Sequence, residues 1–170
     1  MKLETERLIL KEINETHTED ILLIRSNKVT NQYVNRKSPK TNYDALEFIL
    51  HIKKETQNKE VVFLGISYKN CQNLIGTICL WNFSKDKTLA EVGYELLPDY
   101  HRKGIMSEAL GAVLDYGFKE LQLQKIIAIT SQFNENSKGL LLKYDFILEE
   151  GEKDEQNSNN IVFSLKNIKY

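Results

Sequence analysis

Apolar positions along the chain follow two rhythms, one of strands and one of helices. Between Leu3 and Ile13 the run Leu8-Ile9-Leu10 marks a short strand. Thr16 with Glu19 forms a capping box just ahead of Ile21-Leu22-Leu23-Ile24, which predicts a helix. The polar stretch from Asn27 to Thr41 contains Pro39 and reads as loop or short helix, and from Tyr43 to Lys54 helical spacing returns in Leu46, Ile49, Leu50 and Lys53. Three strands are then predicted, over Val61–Tyr68, Leu74–Phe83 and Leu89–Leu97, separated by polar turns at Lys69–Asn73 and Ser84–Lys87. In the third, Ala90, Val92, Tyr94 and Leu96 face one way, while Glu91, Gly93 and Glu95 face the other.

Pro98 ends that strand because it has no N–H to donate. A polar loop leads into a strong helix whose apolar face runs from Met106 through Ala109, Leu110, Val113, Leu114 and Phe118 to Leu121. Lys125–Thr130 reads as a fully buried strand, Asn134–Lys143 as a short helix, and Phe146–Glu149 and Ile161–Leu165 as closing strands. The polar run from Gly151 to Asn160 joins the last two as a hairpin tip. The order predicts a mixed α/β class. Residues 1–170 hold no repeat or low-complexity linker and read as a single domain.

Charge narrows the function. The chain has 23 basic and 24 acidic residues, a net charge of -1, which argues against nucleic-acid binding. Cys71 and Cys79 make no metal or redox motif, and His17, His51 and His101 show no ligand spacing, so no metal is expected. The charged N-terminus is unlike a signal peptide, and no apolar run approaches the ~20 residues that span a bilayer. A cytoplasmic protein without membrane contact is the expectation.

The most informative segment is Pro98-Asp99-Tyr100-His101-Arg102-Lys103-Gly104-Ile105-Met106-Ser107-Glu108-Ala109. It follows a strand and opens a helix, whose first N–H groups lack internal partners and favour an anion. Gly104 lets the main chain approach closely, and Arg102 and Lys103 add positive charge. A solvated loop ahead of an ordinary helix has the same local features. The segment is not a P-loop, because no Gly-Lys-Ser/Thr follows a four-residue gap.

His101-Arg102-Lys103-Gly104-Ile105-Met106 resembles the coenzyme A signature Gln/Arg-x-x-Gly-x-Gly/Ala of the GNAT superfamily of N-acetyltransferases. Glu4-Thr5-Glu6-Arg7-Leu8-Ile9-Leu10 is similar to the opening strand of the branch that acetylates ribosomal-protein N-termini. Glu91-Val92-Gly93-Tyr94-Glu95-Leu96 is similar to that branch's fourth strand, and Gly104–Leu110 to its coenzyme helix. Asn134-x-x-Ser137 with Lys143 and Phe146 is similar to the family's last block. His101 and Met106 depart from the commoner residues, and Asp145 stands where glycine usually precedes Phe146; Asp also adopts left-handed angles. The resemblance implies a largely antiparallel, twisted sheet of six to seven strands flanked by about four helices, and allows a homodimer.

It further implies acetyl-CoA as co-substrate, with its pyrophosphate on the backbone of His101, Arg102, Lys103, Gly104, Ile105, Met106 and Ser107. The main chain of Leu96 and Leu97 would pair with the pantetheine arm like an added strand. Asn134 and Ser137 would contact the coenzyme; Asn134 suits an N-cap equally. Glu91 is the first candidate for the base, acting directly or through a water, with Glu95 second on the same strand face. Many members protonate the leaving thiolate with a tyrosine on the last helix, but the matching residue is Leu141, so Ser137 or Tyr144 would have to substitute. The acceptor is a primary amine: a protein N-terminus, ribosomal or other, or a small molecule. Acidic residues in the early helices and hairpins (Glu15, Glu19, Asp20, Asp86, Glu152, Asp154, Glu155) would suit a cation. A non-catalytic acyl-CoA-sensing module on the same fold is the alternative function.

Overall fold

The computed structural model describes residues 1–152 and 154–167; position 153, inside the polar run 151–160, and positions 168–170 lie outside the described residues. Eight strands form one sheet: β1 (Lys2–Glu4), β2 (Leu8–Glu12), β3 (Val62–Tyr68), β4 (Gly76–Trp81), β5 (Leu89–Leu96), β6 (Lys125–Ser131), β7 (Ile147–Leu148) and β8 (Asn160–Lys166). Their spatial order is β1-β2-β3-β4-β5-β6-β8-β7. Among the described residues four α-helices accompany them: α1 (Thr18–Ser26), α2 (Asn42–Gln57), α3 (Ile105–Asp115) and α4 (Glu135–Lys143). The strand number exceeds the six or seven expected because the opening run is broken in two. The break is made at Thr5, whose N–H donates to Leu8 O at 3.1 Å while its Oγ1 accepts from Leu8 N–H at 3.0 Å.

The first capping box lies two residues earlier than the Thr16–Glu19 spacing suggests. Asn14 Oδ1 accepts from Thr16 N–H, and His17 Nδ1 accepts from Asn14 N–H, each at 3.0 Å. Burial lowers the His17 pKa, which keeps the ring neutral and able to accept. Segment 27–41 forms turns and not a helix. Thr41 and Asp44 then cap α2 reciprocally, with Asp44 N–H donating to Thr41 Oγ1 at 3.2 Å and Thr41 N–H to Asp44 Oδ2 at 3.0 Å.

Two apolar cores lie on opposite faces of the sheet. On one, α1 and α2 bring Ile21, Ile24, Ala45 and Ile49 against Phe63 and Leu74. On the other, Ala109, Leu110, Val113 and Leu114 of α3 and Leu141 of α4 cover residues such as Leu10, Ile66, Ile78 and Val92. The apolar stripe read as one helix to Leu121 stops being α-helical at Asp115; Leu121 N–H donates five residues back to Tyr116 O at 3.1 Å, a wider π-type turn. β6 is buried at alternate positions (Ile126, Ala128, Thr130) and not throughout.

Every neighbouring pair is antiparallel except β5 and β6, which run parallel. Their pairing covers Leu89↔Lys125, Ala90↔Ile126 and Glu91↔Ile127 and stops there, whereas β6 stays paired to β8 as far as Ser131↔Asn160. From Val92 onward β5 therefore runs without β6 beside it. The sheet splits, and its apex is at Glu91.

Candidate active site

The split opens a cleft of about 380 Å³. Tyr94, Glu95 and Leu96 form one wall, and the loop and first turn of α3 another; Asn134 and Ser137 at the start of α4 face them, and segment 29–34 closes the side. Val29 and Val34 contribute apolar surface, and Thr30, Gln32, Tyr33 and Asn136 uncharged polar groups.

The loop before α3 is wound by two left-handed residues, Arg102 at φ 58° and Gly104 at φ 74°. Gly104 is the helix N-cap, and Gly104, Ile105, Met106 and Ser107 all line the cleft. The first N–H groups of α3 have no acceptor within the helix, and its dipole adds partial positive charge there. Such a terminus, left open by a residue without a Cβ, fits a diphosphate. Lys103 does not line the cleft; its Nζ lies 5.6 Å from the centre of the Tyr100 ring. Met106 packs its side chain against the core, which explains why the larger residue is tolerated. His101 is anchored by its Nε2, 2.9 Å from Leu96 O. Asp145 takes φ 62°, the left-handed turn expected of the glycine it replaces.

Leu96, the last residue of β5, and Leu97, just beyond it, behave differently. Leu97 N–H donates to Ile75 O at 2.9 Å, and Leu97 O accepts from Tyr100 N–H at 3.0 Å. Its main chain is committed within the protein, so Leu97 has no free backbone edge for a ligand, contrary to the expectation. Hydrogen-bonding direction alternates along a strand, so Leu96 and Tyr94 turn their backbone groups away from β4 and toward the split. Leu96 keeps a free N–H there, its carbonyl being met by His101.

Ser137 is buried, and its Oγ lies 2.8 Å from Tyr94 Oη. Burial pushes the Tyr94 phenol up to about 12, partly offset by its bond to Ser137. Asn134 caps α4, its Oδ1 accepting from Ser137 N–H at 3.2 Å. Tyr144 is turned elsewhere: it donates to Ser107 O and stands where a Cβ on Gly111 would meet its hydroxyl at 2.8 Å, a packing contact between α3 and α4. Leu141, at the place of the usual tyrosine, is fully buried in the core.

Glu91 and Glu95 share a face of β5 but lie roughly 13 Å apart, four residues at about 3.3 Å each. Neither is a solvated strand glutamate. Glu91 lies at the apex of the split and outside the lining of the cleft, 7% exposed. Burial lifts its carboxyl to about 7, against the lowering effect of a hydrogen bond with the Asn82 side chain; Asp154 raises it further. Glu95 lines the cleft and is ion-paired with Arg25 and Arg36. Of the acidic residues considered for a cationic acceptor, Glu15 pairs with Lys53, Asp20 accepts from Leu74 N–H, and Asp86 accepts from Ser84 and Thr88. These serve local structure away from the cleft.

Tyr94, Arg7, Arg25 and Arg36 are participants that the sequence pattern did not single out. Period-two alternation only places Tyr94 on one strand face with the apolar Ala90, Val92 and Leu96, and the arginines act across long sequence separations. The Cys79 thiol is pushed up to about 12 by burial, in keeping with a packing residue. Among the described residues no group of three or more His, Cys, Asp or Glu side chains is arranged to hold a metal, and no helix is long and apolar enough to cross a membrane.

A strand split beside an open helix N-terminus defines a class, the enzymes that seat an acyl-coenzyme A thioester between two parting strands. The family model described as "Acetyltransferase (GNAT) domain" matches residues 7–147. The chain belongs to the GNAT acetyltransferase family and is an acetyl-CoA-dependent N-acetyltransferase. An uncharacterized N-acetyltransferase of Bacillus subtilis, YoaA, is 35% identical over 144 residues, 85% of this chain and 81% of the relative. Among solved structures, the ribosomal-protein-S5-alanine acetyltransferase of Vibrio fischeri superposes with a TM-score of 0.84 at 22% identity, covering 100% of this chain and 98% of that one. RimL, a ribosomal L7/L12 α-N-protein acetyltransferase solved with coenzyme A, gives 0.84 at 15% identity over 98% of each chain.

Proposed function

We propose that the enzyme acetylates the α-amine of a protein N-terminus, or a small-molecule amine of similar basicity, by direct attack within a ternary complex. The observation that carries this reading is the split at Glu91, with the α3 terminus and the Tyr94–Ser137 pair on one side and a carboxyl raised to about 7 at the apex. The coenzyme diphosphate would lie on the backbone from Arg102 to Ser107, with Arg102 supplying charge and Leu96 N–H meeting the pantetheine arm. Asn134, at the mouth of α4, would face the same arm.

Glu91 takes the proton from the attacking ammonium through a bridging water. The freed lone pair forms the C–N bond, the C–S bond breaks, and the second proton of the acetylated nitrogen passes to the departing thiolate by way of Ser137, whose hydroxyl gives one proton and takes one back while held by Tyr94. An α-amine, at a pKa of ~8, asks less of this base than a lysine at ~10.4. The uncharged side of the cleft formed by Val29, Thr30, Gln32, Tyr33 and Val34 suits a peptide backbone better than a polycation, and the names of the two structural neighbours point the same way. We read the chain as one cytoplasmic domain; its two cysteines are free thiols.

The test is thiol release from acetyl-CoA with Ala- and Ser-initiated peptides, polyamines and amino acids. Turnover is expected on the peptides. The buried Leu141 favours a second reading, a non-catalytic acyl-CoA sensor, which predicts tight coenzyme binding and no turnover on any amine.

A further inference from the structure

Glu95 is the centre of a hydrogen-bonded network that joins three parts of the chain. Its Oε1 accepts from Thr77 Oγ1 at 3.1 Å on β4 and from Arg25 Nη1 at 3.3 Å at the end of α1. Its Oε2 accepts from Arg36 Nη2. The Glu95 side chain is only 9% exposed and the two arginines 16% and 18%, so these bonds are sheltered from solvent. Arg25 is itself fixed, its guanidinium 3.8 Å from the centre of the Phe48 ring of α2. Arg36 reaches back into its own segment, donating from Nε to Asn31 Oδ1 at 3.0 Å. Asn31 in turn donates from Nδ2 to Arg25 O at 2.6 Å and to Ser38 Oγ at 3.1 Å.

Segment 27–41 is turn and coil, with no ladder of its own to hold it. Yet Val29, Thr30, Gln32, Tyr33 and Val34 make the cleft wall that faces the α3 loop. The shape of that wall depends on the Glu95–Arg36 pair. Both oxygens of Glu95 are engaged by donors of the protein itself, which leaves the carboxylate structural work and not proton transfer. We infer that Glu95 is a positioning residue for the acceptor: through Arg36 and Arg25 it fixes segment 27–41 as the surface against which the amine substrate is held. This rests on the acetyl-transfer reading above.

The experiment compares wild type, Glu95→Gln, Arg36→Gln and the double variant by steady-state kinetics across pH, and by hydrogen exchange of residues 27–41 without substrates. Each single variant should raise the acceptor KM by roughly ten- to a hundredfold, the cost of a misplaced reactant. The coenzyme KM and the midpoint of the pH profile should not move, and the double variant should be no worse than either single one. Exchange in 27–41 should quicken in both, with that of α3 unchanged. Loss of the acid limb in Glu95→Gln would make Glu95 the base and overturn the inference, as would unaltered exchange in 27–41. If wild type turns over no amine, the acetyl-transfer reading falls, and the exchange data alone decide whether Glu95 fixes the segment.

Discussion

Arg7 and Glu108 meet across 101 residues of sequence and brace the α3 loop from behind. Arg7 N–H donates to Glu108 Oε1 at 2.8 Å and Arg7 Nε to Oε2 at 2.6 Å, while Arg7 Nη1 reaches Lys103 O at 3.0 Å. Thr5 Oγ1 adds a bond to Glu108 Oε1 at 2.5 Å. One guanidinium thus ties the turn between β1 and β2 to both the first turn of α3 and the loop ahead of it. Arg7→Ala should weaken coenzyme A binding on the order of tenfold by calorimetry, the usual worth of one charge-assisted hydrogen bond. Arg7→Lys should lie between, because an ammonium cannot span the carboxylate and the carbonyl as a fork does. Unchanged affinity in both would show that the brace does not shape the loop.

The block Glu4–Leu10 was legible as a resemblance but not as a mechanism, because its partner Glu108 is on a helix a hundred residues away. The same distance hid the role of Glu95: alternation gives only the strand face it shares with Glu91, and only the fold brings Arg25 and Arg36 onto it. Strand and helix order was readable because period two and period 3.6 are local properties of the chain. The split was not, since it depends on β6 parting from β5 to follow β8, a long-range pairing. That parting also makes Tyr94 a cleft residue. Leu97 was misplaced for a smaller reason: a shift of one residue along a strand reverses which neighbour its backbone meets.

Gly104 carries a conformational demand that another side chain meets only under strain. At φ 74° an alanine costs about 1–2 kcal/mol, and its Cβ would come within 3.4 Å of Arg7 Nη2. Gly104→Ala should lower thermal stability by that amount and weaken coenzyme binding together. Gly104→Asn should lose less stability, since Asn tolerates the left-handed region. Equal melting temperatures for all three would contradict the strain.

The Tyr94–Ser137 pair should behave as a unit. Ser137→Ala leaves a buried phenol without its partner, and Tyr94→Phe leaves a buried serine; each should cost about 1–3 kcal/mol. The double variant should cost clearly less than the sum, because neither orphan then remains. In kinetics both single variants should lower kcat more than they raise the acceptor KM. Additive stability losses, or a change in KM alone, would argue that the pair only packs.

Glu91 links activity and stability to pH with opposite signs. Its carboxyl titrates near 7 in the folded protein, raised by burial from an ordinary value of 4.5. Below 4.5 both folded and unfolded chains hold the proton, and stability is unaffected. Between 4.5 and 7 the unfolded chain has released it while the folded chain keeps it, so stability falls as pH rises, then levels off above 7. At 1.36 kcal/mol for each unit the loss reaches at most about 3 kcal/mol. Glutamine mimics the protonated acid, so Glu91→Gln should match wild type in urea unfolding at pH 4 and exceed it by about 1–3 kcal/mol at pH 8. Activity runs the other way: kcat/KM of wild type should rise with pH through an acid limb near 7, and Glu91→Gln should lose that limb along with most of the rate. An equal stability difference at pH 4 and pH 8 would show that the carboxyl is not shifted, and a retained limb would remove Glu91 as the base.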